Sequence, residues 1–443
     1  MRPCFLSIRG VGVFLSIAVL LAVTSAGWAQ EGQAGTKKEL EDAWKTHKAR
    51  AKMLLAGDDQ PRKGDEAVAK AAAEWFLFRI THKSAYDQAE VHKTFAAEVA
   101  TAWEKKLGGQ ANDNRKYINS YFGPALVASM KEVMTRNPPA KEASTAIHAA
   151  MMLPTMARFK ADPVGAYLAD LIDNKDGTTH DIVRLYALKG MREYLPIFSF
   201  YDDYEIDGKL SNLNAVLAKK PHDIKNIDAL VKFIERPVSV AGMTKEEIDA
   251  VRYLRREAII TLAQVGAPAV SAIKKLKKVE GPVAPTLLKV LVKGKGGLQP
   301  PASLSEKIEA AHGLCYMKHA NMPEYNPDVA AYLIGQTVVE FVSEYNQDLV
   351  NFRVAAVNKT LPALPFKVDA NRLLVGLKEF AKNPNTDAAA KLRDTAQPIL
   401  LRMTNYDTIN TLPDLQRQVQ QSLPKSKAPF KTLPTPAIPL DGQ

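Results

Sequence analysis

Val251-Arg-Tyr-Leu-Arg-Arg-Glu-Ala-Ile-Ile-Thr-Leu-Ala-Gln-Val-Gly-Ala-Pro-Ala-Val270 is the stretch that decides the fold class. Ala258 follows Arg255 by three residues and Leu262 follows Ala258 by four, which places them on one face of a helix. The helix has a start signal and a stop signal. Thr244-Lys-Glu-Glu247 reads as a capping box, the Thr oxygen accepting from the third helical N–H while Glu247 reaches back. Gly266-Ala267-Pro268 marks the end.

The same grammar recurs along the chain. A basic residue, an Ala three later and a Leu or Met four beyond appear at Arg184/Ala187/Met191, Lys307/Ala310/Leu314 and Arg393/Ala396/Leu400. Weaker copies stand at Arg353/Ala356/Thr360 and Ala146/Ala149/Leu153. Successive alanines are 38, 71, 52, 46 and 40 residues apart. The pattern also occurs at Lys48/Ala51/Leu55 and Lys70/Ala73/Leu77, so the spacing rather than the pattern carries the weight. The expected roles are plain: Ala admits a neighbouring helix, Leu or Met fills the groove, and the basic residue stays in water. Ser303-Leu-Ser-Glu306 is a second capping box.

Spacings of roughly 40–47 residues are those of two-helix solenoid units. On these residues the chain resembles the HEAT-repeat family, specifically exported bacterial proteins of that kind. Val183-Arg-Leu-Tyr-Ala-Leu-Lys-Gly-Met-Arg-Glu-Tyr-Leu195 is a second copy, ended by Pro196. The resemblance spans about 140–405 and implies a curved helical superhelix used for binding, with no catalytic residues to carry over. Pro154 and Pro398 depart from it, because each falls inside an expected helix and is expected to kink or split it.

The expected fold class is therefore all-α, a HEAT-like helical-repeat solenoid with an additional N-terminal helical region over 30–139. In that region Leu40, Trp44, Ala51, Leu54 and Leu55 share a helix face. A second helix is expected over Glu66–Ile80, ending in Trp75-Phe76-Leu77-Phe78, and a third over His92–Leu107. A fourth runs from Tyr117 to Thr135, with Gly123-Pro124 as a break. Phe198–Tyr201 and Pro237–Val240 are the best strand candidates, and both read as loops. Residues near 201–228 read as a polar, partly acidic insertion. Residues 406–423 read as a polar helix or linker, and 424–443 as a disordered Pro- and Lys-rich tail.

The first 29 residues read as a cleavable secretory signal. Met1-Arg2 and Arg9 form a basic start, and Val11–Val23 is uncharged and apolar. Thr24, Ser25, Ala26, Gly27 and Ala29 supply small residues for a cut after Ala29, or after Ala26. The apolar run is short against the roughly 20 residues that a spanning helix needs. The expected location is periplasmic or extracellular, with no membrane span after cleavage. Cys4 leaves with the signal, so Cys315 is the only cysteine of the mature chain and no internal disulfide is expected. The net charge falls from +11 to +9 as Arg2 and Arg9 leave.

Motifs for catalysis are missing: there is no G-x-S-x-G, H-E-x-x-H or Walker loop. Ser271-Ala-Ile-Lys274 and Ser422-Leu-Pro-Lys425 match S-x-x-K without its companion motifs. Asp173-Asn-Lys-Asp-Gly177 fails as a calcium loop, because Ile172 would occupy the first ligand position. His312, Cys315 and His319 share a helix face and are candidate ligands of a soft or borderline metal; core packing is the reading these residues favour. No cofactor is expected.

The leading functional expectation is a non-enzymatic scaffold that binds an unknown protein partner in the cell envelope or outside. The alternative is a binder of anionic polymer, polysaccharide or nucleic acid, through Lys274, Lys275, Lys277, Lys278, Lys289, Lys293 and Lys295. That cluster has no interleaved aromatics or arginines, and a solvated face explains it as well. An enzyme with an unrecognised site is the third reading.

Overall fold

A computed structural model describes residues 37–81, 116–136, 143–174, 177, 179–195, 221–265, 283–294, 297–316, 327–356, 366–380, 382, 387–405 and 409–421. Every regular element among them is helical. The expected helix His92–Leu107, the segment 201–220, the tail and the signal segment lie outside the described residues. The chain divides into two compact units between Pro163 and Val164, where the sequence reading began the repeats at 140.

The first unit contains α1 (Lys37–Ala56), α2 (Asp65–Thr81), α3 (Gly123–Arg136), α4 (Ala143–Met151) and α5 (Leu153–Ala157). Leu40, Trp44, Ala51, Leu54 and Leu55 are buried as their periodicity requires. Trp44 packs on Phe76, ring centroids 5.8 Å apart, and Phe76 meets Phe122 edge-on at 6.1 Å. The expected break at Gly123-Pro124 is instead a π turn, Ile118–Phe122, running directly into α3. The Gly123 N–H donates to the Ile118 carbonyl, the wider ring that defines this turn. A side chain at Gly123 would lie 2.8 Å from the Ala161 Cβ, so glycine is what allows the close approach. Pro154 splits its helix as expected: α4 stops at Met151, and Pro154 sits in the first turn of α5, where it needs no N–H.

The second unit is built from α6 (Asp162–Asp173, beginning just before the division), α7 (Asp181–Tyr194), α8 (Pro221–Glu235), α9 (Lys245–Val265), α10 (Val283–Leu291), α11 (Leu304–Cys315), α12 (Pro327–Ala356), α13 (Phe366–Phe380), α14 (Asp387–Thr404) and α15 (Leu412–Gln421). Its helices sort into two rows. Helices α8, α10, α12 and α14 each pack on the next in one row, with α15 closing on α12 and α14. Helices α7, α9, α11 and α13 form the other. The chain alternates between the rows, so α8 packs on α9, α10 on α11 and α13 on α14. Helix α6 lies against a helix of each row: Gly165 faces Tyr194 of α7 and Asn226 of α8, and Lys225 of α8 reaches Asp170 at 3.1 Å.

Both capping boxes form. Thr244 N–H donates to Glu247 at 2.7 Å and Glu247 N–H donates to Thr244 Oγ1 at 3.2 Å; Ser303 and Glu306 make the matching pair. Asn174, just after α6, adopts a φ of 45°; its Oδ1 accepts from the Thr179 N–H at 2.8 Å and its carbonyl from the Gly177 N–H at 3.0 Å. Pro237–Val240 is a loop. Pro221–Asp228, read from sequence as part of an insertion, is the first half of α8, with Asn226 and Ile227 buried. Pro398 does not interrupt α14. It lies on the exposed side, where water can take the carbonyl that loses its donor.

The recurring pattern divides in its fate. Ala187, Met191, Ala258, Leu262, Ala310, Leu314, Ala396 and Leu400 are all fully buried. In two copies, however, the basic residue does not stay wet: Arg255 is 3% exposed and Lys307 5%. Each is drawn inward by a carboxylate of a neighbouring helix, Glu306 for Arg255 and Glu340 for Lys307. The copies at Arg184, Arg255 and Lys307 occupy one row, on α7, α9 and α11. The Arg393 copy lies on α14 in the other row, so it is not an equivalent position.

Candidate functional site

Close helix crossings mark the row α7–α9–α11–α13. Gly313 of α11 meets α9 where an added Cβ would fall 2.5 Å from the Ala263 Cβ. On its other side α11 presents Cys315 to Gly376 of α13, where an added Cβ would be 3.2 Å from the Cys315 Cβ. Cys315 is buried, and burial pushes its thiol pKa up. It therefore packs as a small apolar group at a crossing. His312, a turn before, is half-buried and tilted against Tyr316 at 5.0 Å. Burial pushes its imidazole down, with Glu309 opposing. His319 lies outside the described residues, so the proposed metal trio is not assembled among them, and no group of three metal-ligating side chains occurs there.

The outward edge of these four helices carries a connected belt of charge and aromatic side chains. Arg192 of α7 pairs with Glu257 of α9 at 3.6 Å. Next to Glu257, Arg256 donates to Glu309 Oε1 of α11 at 2.6 Å. Arg372 of α13 donates to that same oxygen. Asp369 feels Arg256, Glu309 and Arg372; burial pushes its carboxyl up, with the two arginines pulling it down. Tyr253 sits within the field of Glu257, Arg256, Tyr186 and Arg192, and Lys189 lies over the Tyr186 ring at 5.3 Å. Tyr316 extends the belt towards Glu379 and Lys382.

The belt is layered by charge. The side chains of Glu257 and Glu309 are 12% and 5% exposed, whereas those of Arg192, Arg256 and Arg372 are 38%, 29% and 35% exposed. The carboxylates are buried between helices, while each arginine side chain keeps part of its surface exposed, Arg256 burying its Nε. At the α13 end, Val368 and Val375 are exposed on either side of Arg372 at four- and three-residue steps, one helical stripe. Sequence reasoning missed this belt, because each ion pair that joins its helices links residues more than 50 positions apart.

The lysine cluster is placed in part. Lys289 is bonded to Glu235 of α8 at 2.9 Å, an acceptor it shares with the Thr286 hydroxyl. Lys293 pairs with Glu340 of α12 at 3.0 Å, beside Lys307. Both charges are thus engaged within the fold. Lys274, Lys275, Lys277, Lys278 and Lys295 lie outside the described residues. No helix of the described residues is long and apolar enough to cross a membrane. Comparison with protein-family models, with curated proteins and with solved structures returns no match.

Proposed function

We propose that this chain is an exported, non-enzymatic scaffold of the HEAT-like solenoid kind, whose second unit binds another protein along the row α7–α9–α11–α13. One observation carries the reading: the belt of Tyr186, Tyr253, Tyr316, Arg192, Arg256 and Arg372, bordered by exposed Val368 and Val375. Tyr and Arg are the residues enriched at protein interfaces and at their energetic centres. The alternation of helices between two rows supports the solenoid reading, since that is how stacked helix pairs bury a continuous core. The export reading rests on residues 1–29.

The test is capture from an envelope extract treated with nuclease and polysaccharide lyases, using the mature chain and a Tyr253→Ser/Tyr316→Ser variant. The expected result is a discrete protein set retained by the first and lost by the second, both with the same melting curve. Equal capture by both overturns the belt as the binding surface. Loss of all capture after the enzymatic treatment favours the anionic-polymer reading instead.

A further inference from the structure

One polar residue stands in the core face of α8. Asn226, Leu230 and Ile234 follow one another at four-residue steps, and all three are fully buried. Leu230 and Ile234 are the apolar residues that such a stripe calls for. Asn226 instead brings an amide with two donor hydrogens and an acceptor oxygen. Neither its Nδ2 nor its Oδ1 has a hydrogen-bond partner among the described residues. An amide in that condition is costly, because burial has stripped it of its bonds to solvent.

The surroundings enclose the amide where three helices meet. An added Cβ at Gly165 of α6 would fall 2.9 Å from Asn226 Nδ2 and 2.5 Å from Tyr194 Cζ of α7. Amide and phenol therefore come together over one glycine. The helices around them are fixed to one another. Lys225 of α8 bonds Asp170 of α6 at 3.1 Å, and Arg236, just after α8, bonds Asp173 at 3.2 Å. Arg184 of α7 lies over the Phe233 ring of α8 at 5.0 Å.

We infer that this crossing is a binding site for one buried water molecule, held by the Asn226 amide and joining α8 to its two neighbours. Buried polar groups without a protein partner are where internal waters sit, each water making about three hydrogen bonds. One water can accept from Nδ2 and donate back to Oδ1, so the amide supplies two of them. The partners at hand on the other helices are the Tyr194 hydroxyl, one bond beyond Cζ, and the α6 main chain laid open at Gly165. A helical carbonyl there keeps a second lone pair after its own helical bond. The crossing has no room for a methyl at Gly165, so nothing larger than water is admitted beside it.

The test counts long-lived internal waters of the mature full chain by oxygen-17 magnetic relaxation dispersion, beside Asn226→Leu and Asn226→Ser. The leucine variant is expected to hold one water fewer. The serine variant, whose hydroxyl can still bond it, is expected to keep the count, with circular dichroism spectra alike for all three. A count unchanged by Asn226→Leu overturns the inference. Should that variant fail to fold, a high-resolution crystal structure of the unmodified chain decides. The expected result is a water within about 3.2 Å of Nδ2 or Oδ1. An Asn226 amide bonded directly to protein groups, or enclosed without water, overturns the inference.

Discussion

Arg255 Nε lies 2.5 Å from Glu306 Oε1, with both side chains buried and the two residues 51 positions apart in sequence. Glu306 also accepts from the Ser303 N–H at 2.6 Å and the Ser303 hydroxyl at 2.8 Å, and Arg255 donates to the Pro300 carbonyl at 2.9 Å. One carboxylate thus caps α11 and locks it to α9. A buried charge is tolerable on these terms, with each of its sites filled.

Removing one partner strands the other. Arg255→Met should cost about 3–5 kcal/mol, because Glu306 is left buried with its charge uncompensated. Arg255→Met/Glu306→Gln should recover part of that, since a neutral amide can still serve the Ser303 N–H. Urea unfolding of the three proteins checks this. A double variant less stable than the single one would sink the account of the pair.

The glycines at the two α11 crossings should respond differently. Gly313→Ala places a methyl 2.5 Å from the Ala263 Cβ and 3.1 Å from its Cα. Overpacking of this kind costs about 1–3 kcal/mol, which outweighs the gain of roughly 1 kcal/mol in helix propensity. Gly376→Ala meets the Cys315 Cβ at 3.2 Å and Sγ at 3.4 Å, and should be close to neutral. Thermal melts of the pair read the order directly, and a more damaging Gly376→Ala contradicts it.

Acid should act on the first unit through Asp65. Its carboxylate accepts from Arg50 Nε at 3.1 Å and Nη2 at 2.8 Å, and from the Arg62 N–H at 2.6 Å. The Arg50 bonds hold its pKa below the ordinary 3.8. A carboxyl depressed in the folded state contributes stability that is complete above its unfolded pKa and lost as pH falls through the folded value. Asp65→Asn should therefore lower stability at pH 7 and flatten its decline below about pH 4. Parallel acid profiles for the variant and the unmodified chain would exclude this role.

Cys315 should be silent towards thiol reagents in the native state. It is buried against Gly376 and its thiol pKa is raised, so neither access nor thiolate is available. In a Cys4→Ser background, the expected reading with an aromatic disulfide reagent is no colour until denaturant is added. Prompt native reactivity would mean that the α11–α13 crossing is open.

What the sequence makes legible is local. Thr244/Glu247 and Ser303/Glu306 announce their caps within four residues, and Pro154 announces the split between α4 and α5. The Ala and Leu positions of the recurring pattern announce burial, because helical periodicity alone places them inward. At Arg255 and Lys307 the basic residue of that pattern leaves water for a physical reason. Whether Arg255 or Lys307 is wet depends on Glu306 and Glu340, carboxylates supplied by other helices, and no local spacing reveals them. The belt was hidden for the same reason: Arg192, Arg256, Glu309 and Arg372 become neighbours only when α7, α9, α11 and α13 are stacked. Gly313 and Gly376 are contact points in the fold, each facing a side chain of a neighbouring helix.

The most direct measurement is hydroxyl-radical footprinting of the second unit's tyrosines in the full chain, free and with its captured partner bound. With the belt as the binding surface, Tyr186, Tyr253 and Tyr316 lose reactivity together on binding, while Tyr121 in the first unit is unchanged. Unaltered reactivity at those three tyrosines, with protection elsewhere, would contradict the belt as the binding surface.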